Sequence, residues 1–294
     1  MNSQMNPISR DQIVHDLHSL GLAAGLEAGL EAGQIVFVHS ALRSLGHVAG
    51  GAETVVDAFQ AVLGDTGTLV VPTFTFAHGR ADDPIFDPQQ DRSEMGAITE
   101  AVRTHPDARR SCHLLHSVAA LGAQAERITA VHGPSAWAAD GPFWQLYELD
   151  ARIVLLGVPY LRCTWFHVIE QLVQVRYREW VVKNAWWRDD QGQQQPLPTL
   201  IYRPKPGFAG NDFNKLGASL EEAGRVEVRA VGNAIARSFA VRDALTLGVE
   251  YYRRDPLLFV KTTESYHPLG DGIMTGELYK ESVVVDPGQI YRKE

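Results

Sequence analysis

The stretch Gln34-Ile35-Val36-Phe37-Val38-His39-Ser40-Ala41-Leu42-Arg43-Ser44-Leu45-Gly46 decides the fold class of this 294-residue chain. Gln34–His39 holds four consecutive β-branched or aromatic residues and reads as a buried strand. A run of small residues follows, Gly50-Gly51 opens a helix over Ala52–Leu63, and Thr68–Val71 reads as a second strand. The same alternation continues outward. Helices are expected at Ile8–Leu30, Met95–Thr104, Phe143–Leu149 and Phe166–Val173, and strands at Ser117–Leu121, Arg152–Gly157 and Val175–Val182. Further helices are expected at Asn211–Ala223 and Gly232–Glu250. Strands alternating with helices predict an α/β fold, a mixed sheet covered by helices. No clean linker interrupts the pattern, so residues 1–294 read as one domain, with a C-terminal subdomain from about 190 left open.

Composition narrows the class of function. The formal net charge of -8 argues against a nucleic-acid partner and mildly favours a cationic small molecule. The longest apolar runs, such as Ile153–Val158, are too short to span a bilayer. Met1–Arg10 lacks the apolar core of a signal peptide, so a cytoplasmic location is expected. Two cysteines, Cys112 and Cys163, imply neither a disulfide framework nor a metal site. The glycine-spaced repeat Gly25–Gly33 weakens a helix and reads as a tolerated local duplication. Two polar loops stand out, Phe76–Glu94 with five acidic residues and the Gln-rich Asp189–Pro198.

Three segments could carry chemistry. The small residues after His39, ahead of a helix N-terminus, could cradle a phosphate with Arg43 adding charge; they serve equally as an ordinary strand–loop–helix connection. Arg43-Ser44-Leu45-Gly46-His47-Val48 nearly fits the Arg/Gln-x-x-Gly-x-Gly/Ala signature of GCN5-like acetyltransferases, but its last residue is wrong, and no dinucleotide or Walker fingerprint occurs. In Cys163-Thr164-Trp165-Phe166-His167-Val168-Ile169-Glu170, His167 and Glu170 lie three apart and share a helical face. A carboxylate on one imidazole nitrogen leaves the other free to take a proton, although a structural His–Glu pair has the same spacing. Cys163 could be a nucleophile paired with His167, or a small buried thiol. The third segment, Arg109 to Val118, gathers two arginines, two histidines and two serines at a strand entry.

In order along the chain, these segments resemble the aminoglycoside 3-N-acetyltransferase (antibiotic N-acetyltransferase) family. The likeness begins at Val38–Gly46 and runs through Gly67–Thr75, Phe86-Asp87-Pro88, Met95–Glu100 and Arg110-Ser111 to His116-Ser117. It continues in Thr164-x-x-His167-x-x-Glu170, Phe213–Gly217, Gly232-Asn233-Ala234 and Asp255-Pro256.

The resemblance implies that family's own mixed α/β fold, distinct from the GCN5-like one, with acetyl-CoA as co-substrate and no metal. It implies His167 as general base held by Glu170, with the Thr164 hydroxyl placing the thioester or the tetrahedral intermediate. Coenzyme A would lie along Ser40, Ala41, Leu42 and Arg43, with Thr75, Ser111 and Ser117 as further contacts. A cationic antibiotic would be met by the acidic loop, through Asp82, Asp83, Asp87 and Glu94. No membrane is involved, and a homodimer is left open. The sequence departs from the family where Cys163 replaces Asn, Gly141 replaces Ser and Leu114 replaces Pro, and its acceptor-side loop is shorter. Those changes keep a second reading in view, an N-acetyltransferase acting on a different primary amine such as a biosynthetic intermediate. A non-catalytic binder of coenzyme A or antibiotic would have no need of the base.

Overall fold

The computed structural model describes residues 7–20, 33–130, 133–261 and 283–285. In chain order the first half forms α1 (Arg10–Ser19), β1 (Ile35–Ser40), α2 (Gly51–Leu63), β2 (Thr68–Pro72), α3 (Ala77–Arg80), β3 (Ile85–Phe86), α4 (Ala97–Arg103), β4 (Arg109–Arg110), β5 (Val118–Gly122), α5 (Ala125–Thr129) and α6 (Pro142–Glu148). There follow β6 (Arg152–Leu156), α7 (Phe166–Leu172), β7 (Arg178–Lys183), β8 (Trp186–Arg188), β9 (Gln194–Pro196), β10 (Thr199–Pro204), α8 (Phe213–Glu222), β11 (Glu227–Val231), β12 (Ala234–Ala240), α9 (Val241–Arg254) and β13 (Val283–Val285).

Seven strands make the main sheet, in the order β11-β12-β6-β1-β2-β5-β4. Its centre, β6-β1-β2, is parallel, and the flanking pairs are antiparallel. The central strands are apolar without a break because each face has its own core. Phe37, Val70, Ile153 and Leu155 turn towards a cluster that takes in α6, α7, α8 and α9. Val36, Val38, Leu69, Val71, Val154 and Leu156 turn towards α1, α2 and α4. Helix α2 offers that second core a stripe of Val55, Val56, Phe59, Val62 and Leu63 at helical spacing. Full burial of one such aliphatic or aromatic side chain is worth about 1.5–3 kcal/mol, so this two-sided cover is what holds β1 in the centre.

The expected mixed sheet covered by helices is therefore present, with differences in detail. The helix expected over Gly232–Glu250 is two elements. Residues Ala234–Ala240 pair antiparallel with β6, from Ala236 opposite Leu156 to Ala240 opposite Arg152, and a helix starts only at Val241. Alanine is compatible with either period, and here the alternation of buried Ala234 and Ala236 with exposed Ile235 decides for a strand. The strand expected from Val175 begins at Arg178, after a turn in which Gln174 takes a positive φ of 51°. The helix expected over Ile8–Leu30 ends at Ser19, and residues 21–32, with most of the Gly25–Gly33 repeat, lie outside the described residues.

The two polar loops are joined. Within Phe76–Glu94, β3 pairs with β8, Ile85 opposite Trp186, and β8 turns back through residues 189–193 into β9. Gln89 Nε2 donates to Asp190 at 3.2 Å, and Arg188 lies 3.5 Å from Asp87. A third sheet, β10-β7-β13, carries the chain from the end of α7 to these loops.

Because β1, β2 and β6 are parallel, Ser40, Pro72 and Leu156 end on one edge of the sheet. The antiparallel neighbours bring the starts of β5 and β12 to the same edge. Open α/β sheets bind ligands outside the carboxyl ends of their parallel strands. Helix α7 begins ten residues beyond the end of β6, after a single 3-10 turn at Tyr160–Arg162.

Candidate functional site

Helix α7 supplies the centre of the site. His167 and Glu170 sit one turn apart, and their side chains meet with Nδ1 2.5 Å from Oε2. Glu170 is fully buried, and polar side chains meet its carboxylate. Tyr177 Oη and Asn211 Nδ2 each donate to Oε1 at 2.7 Å. Arg178 Nε lies 2.9 Å from Oε2 as a close ion pair without an aligned hydrogen bond. Arg178 is itself fixed, donating to the Tyr202 carbonyl at 2.8 Å and to Asn211 Oδ1 at 2.7 Å. The Asn211 amide thus bridges carboxylate and guanidinium in one orientation.

Burial alone would push the Glu170 carboxyl up; Arg178, then His167 and Tyr177, overcome it and hold it down to about 2. Burial lowers the His167 imidazole, Glu170 opposes that, and Arg178 adds to the lowering. The state this selects is a charged Glu170 accepting from the Nδ1–H of a neutral His167. The second imidazole nitrogen is left with a lone pair, the form a general base needs. His167 keeps 16% of its side-chain surface exposed, against 0% for Glu170, so the base alone of the pair reaches the outside.

Thr164, one turn before His167, places Oγ1 3.5 Å from Nε2 of His39, at the long limit of a hydrogen bond. His39, next to last in β1, is buried, which holds its imidazole down to about 3 and therefore neutral. Ser40, Ala41 and Leu42 are part-buried along the sheet edge, and Arg43 is exposed. This loop is clasped to the end of β6: Ser44 Oγ donates to the Gly157 carbonyl at 3.0 Å. Gly157 has φ +71°, and a Cβ there would lie 2.5 Å from Ser44 Cβ, so the close approach requires glycine. Beside it lies an open groove of about 420 Å³ lined by Ser44, Gly157, Val158, Tyr160, Asn214 and Arg237, among others.

Thr75, Ser111 and Ser117 lie on the far side of the strand ends, all buried. Thr75 Oγ1 donates to the Leu114 carbonyl at 2.7 Å, Ser111 Oγ accepts from Val118 N at 2.9 Å, and Ser117 Oγ donates to the Thr73 carbonyl at 2.8 Å. Those hydroxyls shape the turn that carries His113 and His116. Arg110 rivets the acidic loop to the same place, donating to the Thr73 carbonyl at 2.7 Å and the Asp91 carbonyl at 2.6 Å.

In the acidic loop, Asp87 Oδ1 accepts from Gln89 N and Gln90 N, both at 3.0 Å, and Glu94 Oε1 accepts from Ala77 N at 2.8 Å. Asp82 and Asp83 are exposed at its outer turn. Cys163 is fully buried in the apolar core, and burial pushes its thiol up, which leaves little thiolate. Among the described residues no three His, Cys, Asp or Glu side chains are placed to hold a metal, and no helix is long and apolar enough to cross a membrane.

The His167–Glu170 pair is legible in the sequence and its partners are not. Tyr177, Arg178 and Asn211 reach Glu170 from the start of β7 and the segment before α8, with no periodic relation to it. His39 was visible only as the last residue of a strand.

The family model described as aminoglycoside 3-N-acetyltransferase matches residues 37–253. Aminoglycoside N(3)-acetyltransferase VII of Streptomyces paromomycinus is 30% identical over 276 residues, 83% of this chain and 91% of that protein. The crystal structure of the aminoglycoside acetyltransferase AAC(3)-Xa matches with a TM-score of 0.74 at 30% identity, covering 85% of this chain and 94% of the other. A mutant of AAC(3)-IVa, solved in complex with apramycin, matches with a TM-score of 0.70 at 26% identity, covering 87% of this chain and 96% of the other.

Proposed function

The chain belongs to the aminoglycoside 3-N-acetyltransferase family, a family of acyltransferases, and on that premise we propose that it moves an acetyl group from acetyl-CoA directly to the 3-amine of an aminoglycoside's 2-deoxystreptamine ring. The observation that carries this reading is a buried, charged Glu170 spending Nδ1 of a neutral, part-exposed His167. An alkylammonium is no nucleophile, so a base must take its proton near neutral pH. The ammonium first gives up one proton to solvent; His167 then takes a second as the nitrogen forms its bond to the thioester carbonyl, and returns that proton to the sulfur as the carbon–sulfur bond breaks, so one proton is released overall. Thr164 offers a hydroxyl for the oxygen on which charge develops. Coenzyme A would run along Ser40, Ala41, Leu42 and Arg43 into the groove beside Gly157, whose size suits part of such a ligand. Thr75, Ser111 and Ser117 would support that edge from within. We read the chain as a single domain, working in the cytoplasm where its donor is made.

Asp82, Asp83, Asp87 and Glu94 remain the acceptor side. Asp87 and Glu94 use carboxylate oxygens on the loop's own backbone. That observation favours a second reading in which a less highly charged primary amine is the acceptor. Thiol release from acetyl-CoA across aminoglycosides and unrelated amines separates the two, with product mass showing one added acetyl and NMR locating it. Modification of the 3-amine is expected. Turnover with simple amines alone would keep the base and discard the antibiotic. The buried Cys163 predicts direct transfer: Cys163→Ser should retain turnover, and mass spectrometry should find no acetyl on Cys163.

A further inference from the structure

A single hydrogen bond leaves a histidine ring some room to swing about its Cβ–Cγ bond, because the contact tolerates a range of distance and angle. In this site two aromatic rings stand against the imidazole. Trp137, from the segment between α5 and α6, stands edge-on to His167 with ring centres 4.9 Å apart and planes at 61°. Phe213, at the start of α8, stands edge-on at 5.0 Å and 70°. Trp137 also packs on His116 at 4.4 Å and on Phe143 at 5.8 Å, and His116 packs on Phe74 at 5.0 Å.

The way Trp137 is held says what it is for. A buried indole ordinarily gives its N–H to an acceptor. Here Trp137 is 5% exposed and its Nε1 is buried without a hydrogen-bond partner among the described residues. Nδ1 of His116 is in the same position. Ring packing on His116, Phe143 and His167 holds the indole.

We propose that Trp137, braced by His116, is a positioning residue that fixes the rotation of the His167 imidazole so that its second nitrogen meets the incoming amine. This rests on the reading of His167 as the base. The effect of Trp137 passes through His167, whose ring it packs against.

The test uses the full chain and three variants. Trp137→Leu should lower kcat by about a hundredfold, the scale on which small misplacements of a reacting group act, with KM for acetyl-CoA and for the amine unchanged. Trp137→Phe should restore most of kcat, because the ring matters and the N–H does not. In a His167→Ala background, Trp137→Leu should have no further effect, since the two act as a unit. A substrate-free readout accompanies these: the Nδ1 proton of His167, shared with Glu170, should give a downfield proton NMR resonance that broadens in Trp137→Leu and is kept in Trp137→Phe. An unchanged resonance in Trp137→Leu, or equal losses of kcat in the Phe and Leu variants, would overturn the brace. If wild-type protein acetylates no amine at all, the functional reading falls, and the NMR comparison still decides whether Trp137 holds the ring.

Discussion

His167→Ala is expected to lower kcat by about 10²–10⁴-fold, the usual contribution of a positioned general base, and to leave the KM for acetyl-CoA near the wild-type value. The expectation follows from where the residue stands. His167 has spent one nitrogen on Glu170 and is the member of the pair that reaches the surface, so its removal takes away the proton acceptor and little binding area. Glu170→Gln should also lower kcat, because the amide can hold the ring but no longer supplies the charge that stabilises an imidazolium. The pH dependence gives an independent check. Activity needs the neutral imidazole, and burial lowers that group below its ordinary 6.5. The enzyme's own contribution to the acid limb of kcat/KM should therefore lie below 6.5 in the wild type and be lost in His167→Ala, where ionisation of the acceptor amine alone remains. Near-normal turnover in both variants would remove His167 from the mechanism and leave the fold assignment intact.

Half of this arrangement could be read from the chain. The β1–α2–β2 unit was legible because Ile35–Val38 is apolar on both alternating faces and α2 repeats its large residues every three or four positions. The His167–Glu170 pair was legible because a helix turns an i, i+3 spacing into contact. What failed depended on neighbours. Ala234–Ala240 is a strand because β6 offers it a hydrogen-bonded edge, and its alanines carry no period of their own. The sequence shows that Asp87 and Glu94 are acidic, but only the folded loop shows that one oxygen of each carboxylate accepts from backbone N–H groups. Arg178 could not be found at all from spacing: it is one of two arginines in an expected strand, and only the approach of β7 to α7 gives it a carboxylate.

That arginine carries the largest expected effect on stability. Arg178→Met should destabilise the fold by about 3–5 kcal/mol near pH 7, because breaking a buried pair leaves the other charge without compensation. Glu170 has no exposed surface through which water could replace the guanidinium, and Tyr177 and Asn211 supply hydrogen bonds but no charge. The sign of the pH dependence should reverse. In the wild type the carboxyl sits at about 2 against 4.5 for an ordinary glutamate, so the folded chain binds fewer protons than the unfolded one between those values. Its stabilisation is then complete above 4.5 and is lost as the pH falls towards 2. Without Arg178, burial moves the carboxyl above its unfolded value of 4.5, the folded chain keeps the extra proton, and this group makes the variant less stable as the pH rises from 4.5 towards that raised value. Urea unfolding at a series of pH values should show the gap between wild type and variant narrowing in acid. Arg178→Met combined with Glu170→Gln should recover much of the loss, since no buried charge remains. If the single variant were as stable as wild type at every pH, Glu170 could not be ionised in the folded protein. The tautomer assigned to His167 would then fall with it, because an uncharged Glu170 could donate to Nδ1 and hand the proton-accepting nitrogen to the wrong side of the ring.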